Sequence, residues 1–203
     1  MEELRDNARG ATEWDRWLKM SMALALAEAT GRRLGSIRML RWDDIDLEAG
    51  EIRWRRENDK KGRETVVPIP PALLDRLEAF SFACLATQVE RYEQPSEFLF
   101  AAYRDPAVPM DRHLFDQWLS VAEEKAGLKK LEGGLWHPYR RKWATERKDQ
   151  PMADVMAAGG WSDADTLLRS YQQADKETLR RVVNHPNRLR EAADGDDAAA
   201  STA

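Results

Sequence analysis

Apolar residues first recur at helical spacing, then alternate, then return to helical spacing. Trp14, Trp17, Leu18 and Met22 share one helical face, and residues 24–27 continue it; this predicts a long helix ending before Gly31. Thr12 as N-cap with Asp15 three residues on fits a capping box, which leaves residues 1–11 as a leader. A shorter helix is expected over 35–41, with Ile37 and Leu40 facing inward. The period then changes. WDDIDL (42–47) reads as a short strand, GEIRWRR (50–56) alternates Ile52 and Trp54 with charges, and RETVVPIP (63–70) is β-branched and bounded by proline. The polar ENDKKG (57–62) joins the last two as a hairpin, one edge of a three-stranded sheet.

Helical spacing resumes after Pro71, where Leu73, Leu74, Leu77, Phe80 and Cys84 mark a helix to about residue 92. Residues 94–109 read as a loop with a short apolar anchor. Asp111 caps a helix that stops near Gly127. Residues 129–134 form another loop. His137 opens a helix with Pro138 in its first turn, where proline is tolerated. Short helices follow over 152–158 and 163–172, the second capped by Ser162 with Asp165 at the third position. KETLRRVVNH (176–185) makes a final helix. The fold class is mainly α with a small three-stranded antiparallel sheet, in a single domain over residues 12–186. Residues 187–203 read as a disordered acidic tail.

Charge changes this picture only when it is located. The chain has 32 basic and 36 acidic residues, a net charge of −4. Residues 191–203 hold four acids and no base, so the remainder is neutral. Within it bases cluster: four arginines and no acid in 31–42, six bases against two acids in 53–63, and five against one in 136–148. Local clusters govern phosphate binding more than the total does. No apolar run is long enough to span a bilayer, and the charged N-terminus is no secretory signal. Cys84, the single cysteine, fits a small apolar core role. The expected compartment is the reducing cytoplasm.

Several residues then stand out: Arg33 after a Thr-Gly turn, Lys60 and Lys61 at the hairpin tip, His137 and Arg140 on one helical face, Trp161 after two glycines, and Tyr171. Each alone fits an ordinary role as surface cation, solvated turn, cap or core aromatic. Their order and spacing resemble the tyrosine recombinase (phage integrase) family over about residues 12–185. TGRRLGSIRMLRWDDID is similar to the family's first arginine box and DKKGRETVVPIP to its lysine hairpin. HPYRRKWAT resembles its second box, and GGWSDADTLLRSY the stretch leading to its nucleophile.

The chemistry asks for such a set. A phosphodiester repels an attacking oxygen, and its transition state gains charge that fixed cations must meet. Arg33 and Arg140 can each present a planar fork to phosphate oxygens. The resemblance implies that Tyr171 attacks phosphorus to form a 3′-phosphotyrosyl link. It implies that Lys60 protonates the leaving 5′-oxygen, with Lys61 as the adjacent alternative, and that His137 transfers a proton or contacts phosphate. Trp161 stands where the family usually has histidine; an indole can only donate a hydrogen bond or buttress the site. A phenol needs neighbouring cations to favour its phenolate. Arg32, Lys61, Arg63, Arg141 and Lys142 are expected DNA contacts. No cofactor or metal is implied.

Two departures are visible. Ser36 stands where the family commonly has an acid, and the Trp161–Tyr171 spacing is one residue longer than the family's. The resemblance further implies double-stranded DNA as partner, a homotetramer on DNA through the C-terminal helix, and an N-terminal core-binding domain that this sequence lacks. A type IB topoisomerase-like strand transferase, a catalytically inactive DNA-binding relic and an all-α interaction module are the competing readings.

Overall fold

The computed structural model of the 203-residue chain describes residues 1–59, 62–91, 96–131 and 133–185, with backbone alone for 87–91. The chain divides into two compact units, Met1–Gln172 and Gln173–Ala203.

In the first unit, the opening residues already carry structure. Helix α1, Glu2–Asp6, lies against α2, Ala11–Thr30, and Leu4 packs on the core. The expected Thr12 cap is not used: Gly10 is the N-cap and the helix begins at Ala11. Asp15 is instead buried, paired to Lys19 one turn on at 2.9 Å. Helix α2 stops at Gly31, whose φ of 64° is left-handed. A Cβ there would stand 2.5 Å from the Trp143 ring, so glycine also permits a close helix approach.

Helix α3, Leu34–Ile37, is shorter than expected. Residues 42–44 form a 3-10 turn rather than the start of a strand, because the Asp44 carboxylate accepts from the Arg41 backbone N–H at 3.0 Å and from Arg55 Nε at 2.5 Å. Strand β1 is therefore only Ile45–Asp46. It pairs antiparallel with β2, Glu51–Trp54, which pairs with β3, Thr65–Pro68. The register sets Ile52 opposite Ile45 and Val67, with Ile52 and Trp54 buried.

Helix α4, Pro71–Arg91, brings Phe80 between Trp42 and Phe100, with centroids at 6.0 and 5.9 Å. Cys84 on the same helix is buried, and burial pushes its thiol up to about 12. Helix α5, Arg112–Lys125, is capped by Asp111, whose side chain accepts from the His113 N–H at 2.7 Å. Helices α6, His137–Glu146, α7, Met152–Gly159, and α8, Ala164–Ser170, complete the unit. Asp163, not Ser162, caps α8: its carboxylate takes both the N–H and the hydroxyl of Thr166, which a serine hydroxyl one residue earlier does not reach.

Two cores result. The larger gathers around Trp17, Met20, Leu26, Ile37, Leu77 and Phe115. The smaller, Trp143, Ala144, Val155, Trp161, Leu167 and Tyr171, joins α6, α7 and α8. Burying each large apolar side chain contributes ~1.5–3 kcal/mol.

In the second unit, α9, Lys176–Val183, is capped by Asp175 and exposes Leu179, Val182 and Val183. Residues 187–203, read as a disordered tail, lie outside the described residues. Among the described residues no helix is long and apolar enough to cross a membrane.

Candidate active site

The smaller core ends at a polar surface, and Arg140 marks the boundary. It is only 3% exposed. Its Nη1 donates to the Gly31 carbonyl, where α2 ends, and to the Gly159 carbonyl at 2.5 Å, where α7 ends. Its Cζ lies 3.5 Å from the centre of the Trp161 ring and 5.2 Å from that of Tyr171. Nε and Nη2 are buried with no hydrogen-bond partner among the described residues. Burial first, then the charge of Arg33, pushes the guanidinium down to about 9, with Tyr171 opposing. A cation held this way is undersupplied with negative charge.

Trp161 supports it. The indole is 1% exposed, stacked on Trp143 at 5.8 Å and edge-on to Tyr171 at 5.1 Å. A cation over an indole face is attracted by its quadrupole. A Cβ on Gly159 would meet Trp161 at 1.9 Å, so the first glycine of the pair before the tryptophan makes room for its ring.

Tyr171 follows α8 directly, as its C-cap residue. Two bonds pin it to α6: Thr145 Oγ1 donates to its carbonyl at 3.0 Å, and Gln172 Nε2 donates to the Ala144 carbonyl at 3.4 Å. The residue is 6% exposed, but its hydroxyl is not sealed in hydrocarbon, lying 3.3 Å from Nδ1 of the exposed His137. Burial, then the charges of Arg140, Arg33 and Arg112, hold that imidazole below its ordinary value of 6.5. The neutral ring can accept the phenolic proton at Nδ1.

Arg33 is exposed and caps α3 in extended conformation. It lines a cavity of about 440 Å³ together with His137 and Arg140. It also lines a second cavity of about 220 Å³ beside Ser36, Asn58 and Asp59 at the hairpin base. The two box arginines therefore face one cavity rather than opposite sides of the unit. Ser36 donates to the Asn58 carbonyl at 3.2 Å, tying the hairpin to the first box. Lys60 and Lys61 lie outside the described residues.

The expected DNA contacts divide. Arg32 is 5% exposed and committed to protein: Nε donates to the Ala158 carbonyl at 2.7 Å, and Nη2 to the Ala157 carbonyl and the Thr65 hydroxyl. Burial pushes it down to about 10. It braces α7 against β3 and also lines both cavities beside Arg33. Arg63 is exposed but donates to the Trp161 carbonyl at 3.0 Å. Arg141 is half-buried, and Lys142 is exposed 3.9 Å from Glu146. Arg112, at the start of α5, lines the Arg33 cavity, although no sequence motif singles it out.

The model of the Phage integrase family matches residues 1–178, most of the chain. The chain belongs to the phage integrase family. No curated protein is a significant sequence relative of this family member. Its fold is that of solved recombinases. The crystal structure of XerA recombinase is 20% identical with a TM-score of 0.66, covering 84% of this chain and 57% of that one. XerH recombinase in a post-cleavage complex with palindromic difH substrate gives 19% and 0.69, covering 90% and 49%. A lambda integrase dimer bound to a core site gives 18% and 0.58, covering 80% and 60%. This integrase-family chain thus spans about half to three fifths of those chains.

Proposed function

We propose that this chain is the catalytic domain of a site-specific recombinase that cuts and rejoins duplex DNA through a 3′-phosphotyrosyl intermediate. The observation that carries this reading is the buried Arg140 with unpartnered Nε and Nη2. It lies beside a tyrosine–histidine hydrogen bond, on a cavity it shares with Arg33. An anionic phosphate is the group that this arrangement lacks.

In the proposed step, Arg33 and Arg140 hold the non-bridging oxygens. The Tyr171 oxygen attacks phosphorus as His137 accepts its proton at Nδ1. The bond to the 5′-oxygen breaks, and that oxygen takes a proton from Lys60, an assignment resting on the resemblance alone. One phosphoester replaces another, so religation by a 5′-hydroxyl needs no external energy source. Trp161 serves as the platform under Arg140; its buried Nε1 has no partner among the described residues. Arg63 joins the hairpin to the Trp161 loop, and Arg141 and Lys142 are backbone contacts on the outer side of α6.

Double-stranded DNA is the proposed substrate, in keeping with the DNA-bound XerH and lambda integrase structures, and the nucleoid is the proposed place of action. A core-binding domain outside this sequence would supply the remaining phosphate contacts. The amphipathic α9 is the proposed link between copies in a tetramer. Incubation at low salt with nicked duplexes randomised across the cleavage region tests the reading. A protein–DNA adduct resistant to denaturant is expected from the wild type and not from Tyr171→Phe; no adduct from either would reject it.

A further inference from the structure

Arg112 is a cation at the cavity that the proposed chemistry leaves without a role. It begins α5, far in sequence from both arginine boxes, yet the fold brings it to the cavity lined by Arg33, His137 and Arg140. Its side chain is 63% exposed, whereas Arg140 is buried. Arg140 therefore marks the cavity floor and Arg112 its rim. Arg112 Nε is 3.5 Å from the Asp116 carboxylate one turn on, at the long end of ion-pair range. An exposed pair of that length holds a guanidinium weakly and yields readily to a better anion. Among the described residues that line the cavity, Asp116 is the acid against Arg32, Arg33, Arg112 and Arg140, so their charges make the opening cationic. Consistent with this, the charge of Arg112 reaches His137.

We propose that Arg112 grips the backbone phosphate next to the one held by Arg33 and Arg140, with Asp116 keeping its guanidinium extended across the rim until DNA arrives. A strand lying in this cavity presents successive phosphates; the buried floor takes one, and the exposed rim meets its neighbour. The planar fork suits phosphate better than an ammonium does. This rests on the DNA reading of the site but assigns a contact that reading does not contain.

The test is binding of wild type and Arg112→Gln to random-sequence duplexes across a salt series. One phosphate contact fewer predicts a plot of log affinity against log salt shallower by about 0.9, with affinity several-fold lower at fixed salt. On adduct-forming duplexes, a neutral methylphosphonate beside the scissile phosphate should weaken wild type and leave Arg112→Gln unchanged. An unchanged salt slope, or equal methylphosphonate losses in both proteins, overturns the proposal. Matching melting temperatures show that the exposed substitution leaves the fold intact. The adduct assay is separate: wild-type adduct with an unchanged Arg112→Gln slope rejects only this inference, whereas a shallower slope without any adduct rejects only the recombinase reading.

Discussion

At the scale of single residues, protonation governs the site. His137 is held below 6.5 by burial and then by Arg140, Arg33 and Arg112. The sign follows directly: the unfolded chain takes up this proton first, so the site costs stability as pH falls through 6.5, in full below the folded value. For catalysis the same shift keeps the imidazole neutral and ready to accept a proton in mildly acidic solution. Titration of the His137 ring by NMR should give a value below 6.5, which rises on adding inorganic phosphate because the anion offsets the nearby guanidinium charge. A value at or above 6.5 without anion, or one that phosphate leaves unmoved, would contradict the arrangement. Arg32 and Arg33 show what a sequence leaves open at this scale. They are adjacent, chemically identical and line the same cavities, yet one is buried on carbonyls and the other exposed. Backbone direction decides between them, and no local pattern encodes it.

Among the elements, α7 and the loop after it carry the most constraint. Gly159 must lack a Cβ because Trp161 fills that space, and its carbonyl holds Arg140. Gly159→Ala is expected to cost about 2 kcal/mol or more through overpacking, lowering the melting temperature by roughly 5 °C and reducing adduct formation. Unchanged melting and activity would show that the ring is not so confined. The long helices were legible because their apolar faces repeat over many turns, as in α2 and α4. Their ends were less so: Thr12 and Ser162 compete with nearby groups, and Gly10 and Asp163 act instead. The strand expected over 42–47 shrank because Asp44 captured a backbone N–H and Arg55. In the site, His137, Arg140, Trp161 and Tyr171 were legible through motif order. Arg112 was not, since its place depends on how α5 docks. The stack of Arg140 on Trp161 was equally hidden, because it joins the loop after α7 to the body of α6.

For the whole molecule, family membership and fold rest on a match across residues 1–178, while the chain spans about half to three fifths of the recombinases it resembles in structure. The proposed assembly depends on α9, where Leu179, Val182 and Val183 are exposed on a capped helix. A chain ending at residue 174 should melt like the full chain and still form adduct, yet sediment without the tetrameric DNA complex. Persistence of that complex would place the contact elsewhere. The most direct test of the central claim is peptide mapping by mass spectrometry of the adduct trapped on nicked duplexes. A nucleotide remnant esterified to the Tyr171 oxygen, and abolished by Arg140→Gln, is the predicted result. A remnant on any other residue would contradict the account.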